Sequence, residues 1–236
     1  MLTVLWAIGI TAEGMTGALA AGRERMDLFG VVMVALVTAL GGGTIRDVLL
    51  GNYPLIWVRE PEYLLLVIGA AILTISFAGI MKYFQPVFLL LDGLGLVVFS
   101  ILGVKIAITL GHGIIIALTA AVVTGVAGGI MRDLLCDRIP LVFREELYAS
   151  ISVLVALMYM GMRWSGVGET VSVVVTILAG FILRALAIKF HIRLPVFDYQ
   201  DSYVDNRKTL REVRSGLRNW RWRRPTRPAI DEDPVP

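Results

Sequence analysis

Seven apolar segments, each close to the roughly 20 residues that a helix needs to cross the hydrocarbon core of a bilayer, follow one another along this chain. Short polar joints separate them. The composition agrees with a membrane role, since 57% of the 236 residues are hydrophobic and only 17% are charged. We therefore predict an all-α polytopic membrane protein with seven transmembrane helices, at residues 2–22, 28–49, 62–82, 86–108, 113–135, 146–163 and 169–190.

The second and fifth apolar segments carry nearly the same motif. Residues 39–55 read ALGGGTIRDVLLGNYPL, and residues 125–141 read GVAGGIMRDLLCDRIPL. A shift of 86 residues makes eight positions identical within a stretch of 20, which composition alone does not explain. We therefore predict a transmembrane domain at 1–192 with two copies of one unit and a seventh helix at 169–190, the copies lying at 1–82 and 85–163.

The number of helices in each copy determines how the copies are oriented. Three predicted crossings bring the chain to the opposite side of the membrane, so the second copy enters from the side opposite to the first. The copies are therefore expected to be inverted, about a pseudo-two-fold axis in the membrane plane. Inverted repeats are typical of channels and secondary transporters, which need a path with two comparable ends.

Basic residues are unevenly distributed between the two sides of the predicted membrane. One side holds Arg23, Arg25, Lys82, Arg132, Arg138 and Arg144, and the other holds the smaller set of Arg46, Arg59 and Arg163. The segment from Lys189 onward adds 11 of the 22 Lys and Arg residues. The positive-inside rule then places the N-terminus outside and the C-terminus in the cytoplasm.

The tail at 193–236 is predicted to be a basic cytoplasmic segment. Its stretch VDNRKTLREVRSGLRNWRWRR combines Arg with two Trp residues, which suits contact with anionic lipid. Nucleic acid is not an expected partner, because no nucleic-acid-binding fold accompanies the charges. The final stretch, PTRPAIDEDPVP, is rich in proline and acidic residues and is expected to be disordered.

The glycines of the repeated motif are the first candidates for function. Glycine is about 1 kcal/mol per residue less favourable in a helix than alanine, so the run at 41–43 is expected to bend or unwind the second helix. Carbonyls freed at 38–40 are then candidates to coordinate a cation. The alternative is close helix packing, a common role of small residues in membranes. Recurrence of the motif favours a kink, and the candidate pore-lining or kink residues are Thr38, Gly41, Gly42, Gly43, Thr44, Thr124, Gly125, Gly128 and Gly129.

Each copy of the motif ends in an Arg-Asp pair, Arg46–Asp47 in the first and Arg132–Asp133 in the second. Neighbouring residues on a helix point about 100° apart, so each charge is expected to find its partner on another helix. In the inverted arrangement, one pair lies toward each side of the membrane, as expected for charged gates or vestibules. The alternative is that the arginines extend to the headgroups and stabilise the helix ends.

Two acidic residues lie deeper in the predicted spans. Glu13 is near the middle of the first span, and Asp92 is one to two turns inside the fourth. An unpartnered carboxylate is costly there, so each is expected to be protonated or paired. Glu13 shares a helical stripe with Gly9 and Gly17, which places it against another helix. Both acids are candidate functional residues, with a buried polar tether as the alternative.

The remaining polar residues indicate no catalytic chemistry. Lys105 and Arg184 lie near span ends and are expected to extend toward the headgroups. Cys136 is the single cysteine, which excludes an intrachain disulfide and favours a packed thiol. His112 and His191 have no partner at metal-ligand spacing. We therefore predict that the protein is not an enzyme and binds no cofactor other than a permeant potassium or sodium ion.

The same motifs resemble those of a known family. The segments MTGALAAGRERMDLFGVVMVALVTALGGGTIRDVLLGNYPLIWV, LLLDGLGLVVFSILGVK and GGIMRDLLCDRIPLVFREELYA are similar to bacterial inner-membrane proteins of the glycine-transporter-domain family. These proteins are prokaryotic relatives of the trimeric intracellular cation (TRIC) channels. The resemblance covers residues 4–197, which is essentially the whole membrane part.

This resemblance implies a fold and an assembly. It implies two inverted three-helix repeats plus a seventh helix, and a homotrimer in the bacterial inner membrane with one pore in each protomer. The second and fifth helices would be kinked by glycines around the ion path. Many members carry an acidic residue in the first copy at the position equivalent to Asp92, but Trp6 stands there in this chain, which argues against a mechanism that needs two symmetric acids.

Three functions are compatible with these features. A channel for monovalent cations, chiefly potassium, is the function that we expect from the resemblance and from the freed carbonyls. A permease for glycine or another small zwitterion is the alternative, because Arg, Asp and half-helix ends together can hold a carboxylate and an ammonium. A non-conducting scaffold would explain the Trp-Arg tail but would leave the repeated motif without a role.

Overall fold

The computed structural model of this chain describes residues 2–77, 85–144 and 147–190. Within these ranges the regular secondary structure is entirely helical. In chain order the helices are α1 (Leu2–Arg23), α2 (Leu28–Leu50), α3 (Ile56–Arg59), α4 (Glu62–Ser76), α5 (Gln85–Thr109), α6 (Ile114–Leu135), α7 (Leu141–Arg144), α8 (Tyr148–Trp164) and α9 (Glu169–Phe190). The predicted basic tail at 193–236 lies outside the described residues.

The long helices coincide with the predicted spans. Helices α1, α2, α5, α6 and α9 are long and apolar enough to cross a membrane, judged by length and composition. Helix α4 is shorter, at 15 residues, and ends at Ser76, whereas residues 78–82 of the predicted third span lie outside the described residues. Helix α8 has 17 residues. The all-α membrane architecture is thus confirmed, and the number of seven crossings stays a prediction.

The helices of the two predicted copies correspond one to one. Helices α1, α2, α3 and α4 are followed, in the same order, by α5, α6, α7 and α8, and α9 stands outside this series. Helices α1 and α2 pack on each other as α5 and α6 do, and α4 packs on α1 and α2 as α8 packs on α5 and α6. The copies meet through α1 with α5 and through α2 with α6.

The close contacts made by glycines are also equivalent in the two copies. A Cβ atom added to Gly17 on α1 would lie 2.7 Å from the Cα of Ala35 on α2. In the second copy, a Cβ atom added to Gly103 on α5 would lie 2.8 Å from the Cα of Ala121 on α6. Each of these pairs is related by the shift of 86 residues. Equal glycines at equal positions therefore give both copies the same tight pairing of their first two helices.

Helices α2 and α6 cross at the glycines of the repeated motif. A Cβ on Gly42 would overlap the carbonyl oxygen of Thr124, and a Cβ on Gly128 would overlap that of Thr38. This contact is reciprocal, because each glycine meets the threonine of the other copy. Reciprocal contacts between equivalent residues are what a two-fold axis produces, so a pseudo-two-fold axis passes between α2 and α6.

Both of these helices are continuous through the motif. The unwinding that we expected at 41–43 is therefore not observed, and with it the premise that carbonyls at 38–40 are freed from the helix. The physical reason is that close contact with the opposite helix holds the glycine backbone in helical conformation and compensates its low propensity. Close packing, the alternative role, is the one that these glycines have in the structure. A bend without unwinding at these residues stays a prediction.

Both motif helices end in the same left-handed turn. Gly51 after α2 has a φ of 66°, and Asp137 after α6 has a φ of 52°. The next residue in each copy turns back, so that the Asn52 amide donates to the Asp47 carbonyl and the Arg138 amide donates to the Asp133 carbonyl, both at 2.8 Å. This turn places the chain that follows each helix directly beside the carboxylate of the Arg-Asp pair.

Candidate functional site

The Arg-Asp pairs at the ends of α2 and α6 are buried. Arg46 and Arg132 are exposed by 1% and 0%, and Asp47 and Asp133 by 0% and 5%. The alternative in which these arginines extend to the headgroups is therefore wrong. Taking a charge out of water costs several kcal/mol per ion in a protein, so each charge must be compensated by close partners.

Arg132 is the centre of a charge cluster that joins three helices. Its Nη1 donates to Asp92 Oδ1 on α5 at 2.7 Å and to Thr16 Oγ1 on α1 at 3.1 Å. Its Nε donates to Asp133 Oδ1 at 2.8 Å, and Glu13 Oε2 lies 3.9 Å from Nη1. Three acidic side chains thus face one guanidinium.

Glu13 is positioned by a hydrogen bond within α1, and a glycine on α5 leaves space for its carboxylate. Thr16 Oγ1 donates to Glu13 Oε2 at 3.1 Å. A Cβ on Gly95 of α5 would overlap the Glu13 carboxylate, so the glycine makes room for it. The structure therefore pairs both deep acids, Glu13 and Asp92, and places Glu13 against another helix as expected.

The first-copy pair closes on itself. Arg46 donates to Asp47 Oδ1 through Nε at 3.0 Å and through Nη2 at 2.7 Å. Asn52, brought back by the turn after α2, donates to the same oxygen through Nδ2 at 2.8 Å. The Arg46 Cζ atom lies 5.3 Å from the centroid of the Trp6 ring, a cation–π contact.

The expectation that neighbouring charges do not pair with each other is wrong for both pairs. The directions of the two Cα–Cβ bonds differ by about 100°, but an arginine side chain is long enough to bend around the helix end. Arg46 meets Asp47 in this way, and Arg132 meets Asp133. Among the described residues, Arg132 alone also has carboxylate partners on other helices, which are Asp92 and Glu13.

The surroundings of Arg46 and Arg132 differ because two pairs of equivalent positions carry different types of residue. The shift of 86 residues places Trp6 opposite Asp92, and Phe99 opposite Glu13. The rings of Trp6 and Phe99 pack together with centroids 5.8 Å apart. The end of the molecule at Arg46 therefore has aromatic rings at the positions where the end at Arg132 has carboxylates, and the two ends are chemically different.

A cavity of about 310 Å³ lies beside the first-copy pair. Arg46 and Asp47 both line it, and its other charged lining residues are Arg59, Glu60 and Lys105. Lys105 forms an ion pair with Glu169 at the start of α9, so it does not simply extend toward the headgroups as expected.

Arg184 on α9 also differs from its expected place. It is buried, and its guanidinium lies 4.7 Å from the centroid of the Tyr148 ring on α8. A Cβ on Gly93 of α5 would lie 2.7 Å from its Cγ, so the absence of a side chain at Gly93 makes room for the arginine stem. Extension of Arg184 toward the headgroups is therefore wrong.

The remaining candidate residues have packing or hydrogen-bonding roles. Thr38 Oγ1 donates to the carbonyl of Val34 at 2.6 Å, and Thr124 bonds one turn back in the same way. Thr44 Oγ1 accepts from Trp57 Nε1 at 3.1 Å. The remaining motif glycines have close neighbours on facing elements: Gly41 has Met131, Gly43 has Trp6, Gly125 has Ser100 and Gly129 has Tyr148. A path along these residues stays a prediction.

Several residues of the site carried no signal in the sequence by themselves. Thr16 and Gly95 shape the Arg132 cluster, and Asn52 shapes the first-copy pair. Trp6 did carry a signal, because the 86-residue shift places it at the position equivalent to Asp92, but its contact with Arg46 appears only in the structure. Cys136 is buried, and this burial raises the pKa of its thiol, as expected of a packed cysteine. No group of metal-ligating side chains is found in the part of the chain that the structure describes.

A unit of three longer helices and one short helix, repeated about a pseudo-two-fold axis with buried charges beside the central crossing, defines a membrane protein of the channel and transporter class, not an enzyme. The family model described as "Glycine transporter" matches the chain twice, at residues 3–79 and 89–164. The chain belongs to this family, as its motifs indicated.

Curated relatives and solved structures agree with this assignment. The UPF0126 inner membrane protein YadS of Escherichia coli K12 is 36% identical over 207 residues, which cover 83% of this chain and 97% of YadS. The TRIC trimeric intracellular cation channel orthologue from Rhodobacter sphaeroides is 36% identical, with a TM-score of 0.77 over 81% of this chain and 98% of that one. A prokaryotic TRIC channel in 0.5 M KCl is 33% identical, with a TM-score of 0.76 over 82% of this chain and 98% of that one. The chain therefore has the fold of these channels.

Proposed function

We propose that this protein is a TRIC-type homotrimeric channel for monovalent cations, chiefly potassium, with one pore in each protomer. It resides in the bacterial inner membrane, with its N-terminus outside and its C-terminus in the cytoplasm. The likeness to solved cation channels over almost their whole length supports this proposal, and the name of the E. coli relative supports the location.

The observation that carries the proposal is the cluster of acidic side chains around Arg132. Glu13, Asp92 and Asp133 face a single guanidinium in the protein interior. Rings or clusters of acidic groups along a path attract cations and repel anions. The cluster adjoins the central α2–α6 crossing, and a path through this crossing would have two comparable ends because the copies are inverted.

In the described conformation, the crossing itself is closely packed. The carbonyl oxygens of Thr38 and Thr124 touch the glycines of the opposite helix. Conduction through the centre of the protomer therefore requires α2 and α6 to separate or rotate at Gly42 and Gly128. These glycines serve as the gate because the absence of side chains permits both the close contact and its release.

The deciding experiment measures two fluxes on one preparation. Purified protein is reconstituted into liposomes, and potassium currents and uptake of labelled glycine are recorded in parallel. We expect single-channel potassium events and no saturable glycine uptake. Saturable glycine uptake without channel events would contradict the channel function.

A permease for glycine or another small zwitterion is the second candidate. The description of the matching family favours it, and so does the side-by-side placement of Arg46 and Asp47, whose opposite charges match those of a zwitterion. The same parallel measurement decides between the two functions, since a permease saturates with substrate and gives no unitary currents.

A further inference from the structure

The cavity beside the first-copy pair has no role in the proposed conduction of cations. Its volume of about 310 Å³ lies at the lower end of the range of small-molecule sites, about 300–1,000 Å³. Arg46 and Asp47 line it together with Trp6 and Asn52. Such a combination of one apolar wall and a few fixed polar groups is typical of sites for small solutes.

Both members of the pair have a hydrogen-bonding atom that is not used. Among the described residues, neither Nη1 of Arg46 nor Oδ2 of Asp47 has a hydrogen-bond partner. Their side chains are exposed by 0% and 1%. Buried polar atoms in native proteins are nearly always paired, so each of these atoms calls for a partner.

The second copy shows which partners the equivalent residues have. Arg132 Nη1 donates to the carboxylate of Asp92 at 2.7 Å, and Asp133 Oδ2 accepts from the backbone amide of Leu141 at 2.9 Å. In the first copy, Trp6 stands at the position equivalent to Asp92. Among the described residues, the first-copy pair therefore lacks a second carboxylate at Nη1 of Arg46 and an N–H donor at Oδ2 of Asp47.

We propose that the cavity beside Arg46 binds a small solute that carries a carboxylate next to an N–H or O–H donor, the class of α-amino and α-hydroxy acids. The carboxylate of the solute pairs with Arg46 Nη1, as Asp92 pairs with Arg132. Its adjacent donor bonds to Asp47 Oδ2, as the Leu141 amide bonds to Asp133. One solute thereby supplies both groups that the protein supplies in the second copy.

The charge of the cavity suits a solute that carries a carboxylate beside a hydrogen-bond donor. Its charged lining consists of the basic residues Arg46, Arg59 and Lys105 and the acidic residues Asp47 and Glu60. Because Lys105 is already paired with Glu169, the other four charges balance, and the cavity presents a cationic and an anionic group to one solute. The proposal does not rest on the channel function, because it concerns equilibrium binding and requires no flux.

The first test is calorimetric titration of the full-length protein in lipid nanodiscs. Four probes separate the two contacts: glycine, glycolate, acetate and glycinamide. We expect glycine and glycolate to bind, acetate to bind about tenfold more weakly because it lacks the donor, and glycinamide not to bind because it lacks the carboxylate. The absence of binding for both glycine and glycolate would overturn the proposal. Equal binding of acetate would overturn the role of Asp47.

The second test lets the protein fill the site with its own carboxylate. Trp6→Asp reproduces the second-copy arrangement and is expected to weaken glycolate binding at least tenfold, because the introduced carboxylate would occupy Nη1 of Arg46. Trp6→Phe is the matched control, which keeps an aromatic ring and should retain binding. Arg46→Lys is an independent variant, because it keeps a cation beside Asp47 but removes Nη1, and it should also weaken binding at least tenfold.

Folding of each variant is checked by its helical circular dichroism and thermal unfolding. Arg138→Gln removes a positive charge from the α6–α7 connection, outside the cavity lining, and should bind glycolate as the parent does. Unchanged glycolate binding in folded Trp6→Asp and Arg46→Lys proteins would overturn the proposal. Potassium currents recorded without solute report on the channel function separately, so failure of one proposal is distinguishable from failure of the other.

Discussion

At the scale of single residues, the two motif arginines have the same sequence context but different surroundings. Arg132 has three carboxylates within 4 Å, on its own helix and on α1 and α5. Arg46 has Asp47 as its carboxylate partner, with an aromatic ring above it. Arg46 therefore depends on one counter-charge, whereas the charge of Arg132 is compensated by several.

This difference predicts unequal effects of neutralising one acid in each copy. Asp47→Asn leaves a buried guanidinium without a carboxylate partner and should lower the free energy of unfolding by about 3–5 kcal/mol. Asp92→Asn leaves Asp133 and Glu13 next to Arg132 and should cost about 1 kcal/mol. Denaturant unfolding of both variants in the same detergent measures the difference. Equal losses would show that the two arginines do not differ in this way.

The same cluster predicts an effect on cation flux. Replacing Glu13 by Gln removes one of the three acidic groups around Arg132 while keeping the size of the side chain and its ability to accept from Thr16. We expect a lower potassium conductance, because the cluster then attracts cations less strongly. Glu24→Gln, at the exposed Glu24–Arg138 pair, removes an acidic group elsewhere and serves as the control. Equal conductance of both variants would show that the cluster does not contribute to the ion path.

At the scale of helices, the crossing of α2 and α6 decides the role of the repeated glycines. Each helix continues through its motif, and each brings a glycine against a carbonyl oxygen of the other. The distance between the two helix axes therefore depends on the absence of a single methyl group on each side. Such a contact is stable when closed and needs little rearrangement to open.

Adding one methyl group at the crossing should accordingly be costly. Gly42→Ala places a Cβ on the carbonyl oxygen of Thr124, and we expect a loss of about 1–3 kcal/mol in unfolding free energy together with reduced potassium flux. Gly69→Ala is the matched control, because a Cβ on Gly69 of α4 meets no atom within 4 Å. That change should be neutral or stabilising, by about 0.5–1 kcal/mol. Equal behaviour of the two alanine variants would exclude close packing as the role of Gly42.

At the scale of the whole molecule, the fold and the distribution of charge predict an assembly and an orientation. Structures similar to this chain include a trimeric channel orthologue, and most basic residues of the joints lie on one predicted side. A homotrimer with a cytoplasmic C-terminus places its acid-rich and aromatic ends on opposite sides of the membrane. Native mass spectrometry of the protein in nanodiscs should therefore give the mass of three copies, and a monomer would contradict the proposed assembly.

Orientation can be measured with single cysteines in a background without the buried Cys136. Ser165→Cys lies in the connection between α8 and α9, predicted outside, and Glu24→Cys lies in the connection between α1 and α2, predicted inside. A membrane-impermeant maleimide applied to intact cells should label the first protein and not the second. Permeabilised cells, in which both positions should react, provide the control. The reverse labelling pattern would place the C-terminus outside.

The sequence by itself determined where the helices lie, because a membrane span needs a long apolar run and this chain has such runs with short polar joints. It also determined that the chain contains two related copies, since eight matched positions and the family match at 3–79 and 89–164 depend only on the order of residues. The presence of Trp6 at the position equivalent to Asp92 likewise follows from the order of residues alone.

Only the tertiary structure decided which groups meet. That Arg132 reaches Asp92 and Thr16, while Arg46 folds back onto Asp47, depends on how far each helix is rotated about its axis and where it crosses its neighbours. The same is true of the glycines, whose spacing is equally compatible with a broken helix and with a tight crossing. Residue spacing defines the face of one helix, but contact between helices is set by packing over the whole fold, which no single segment contains.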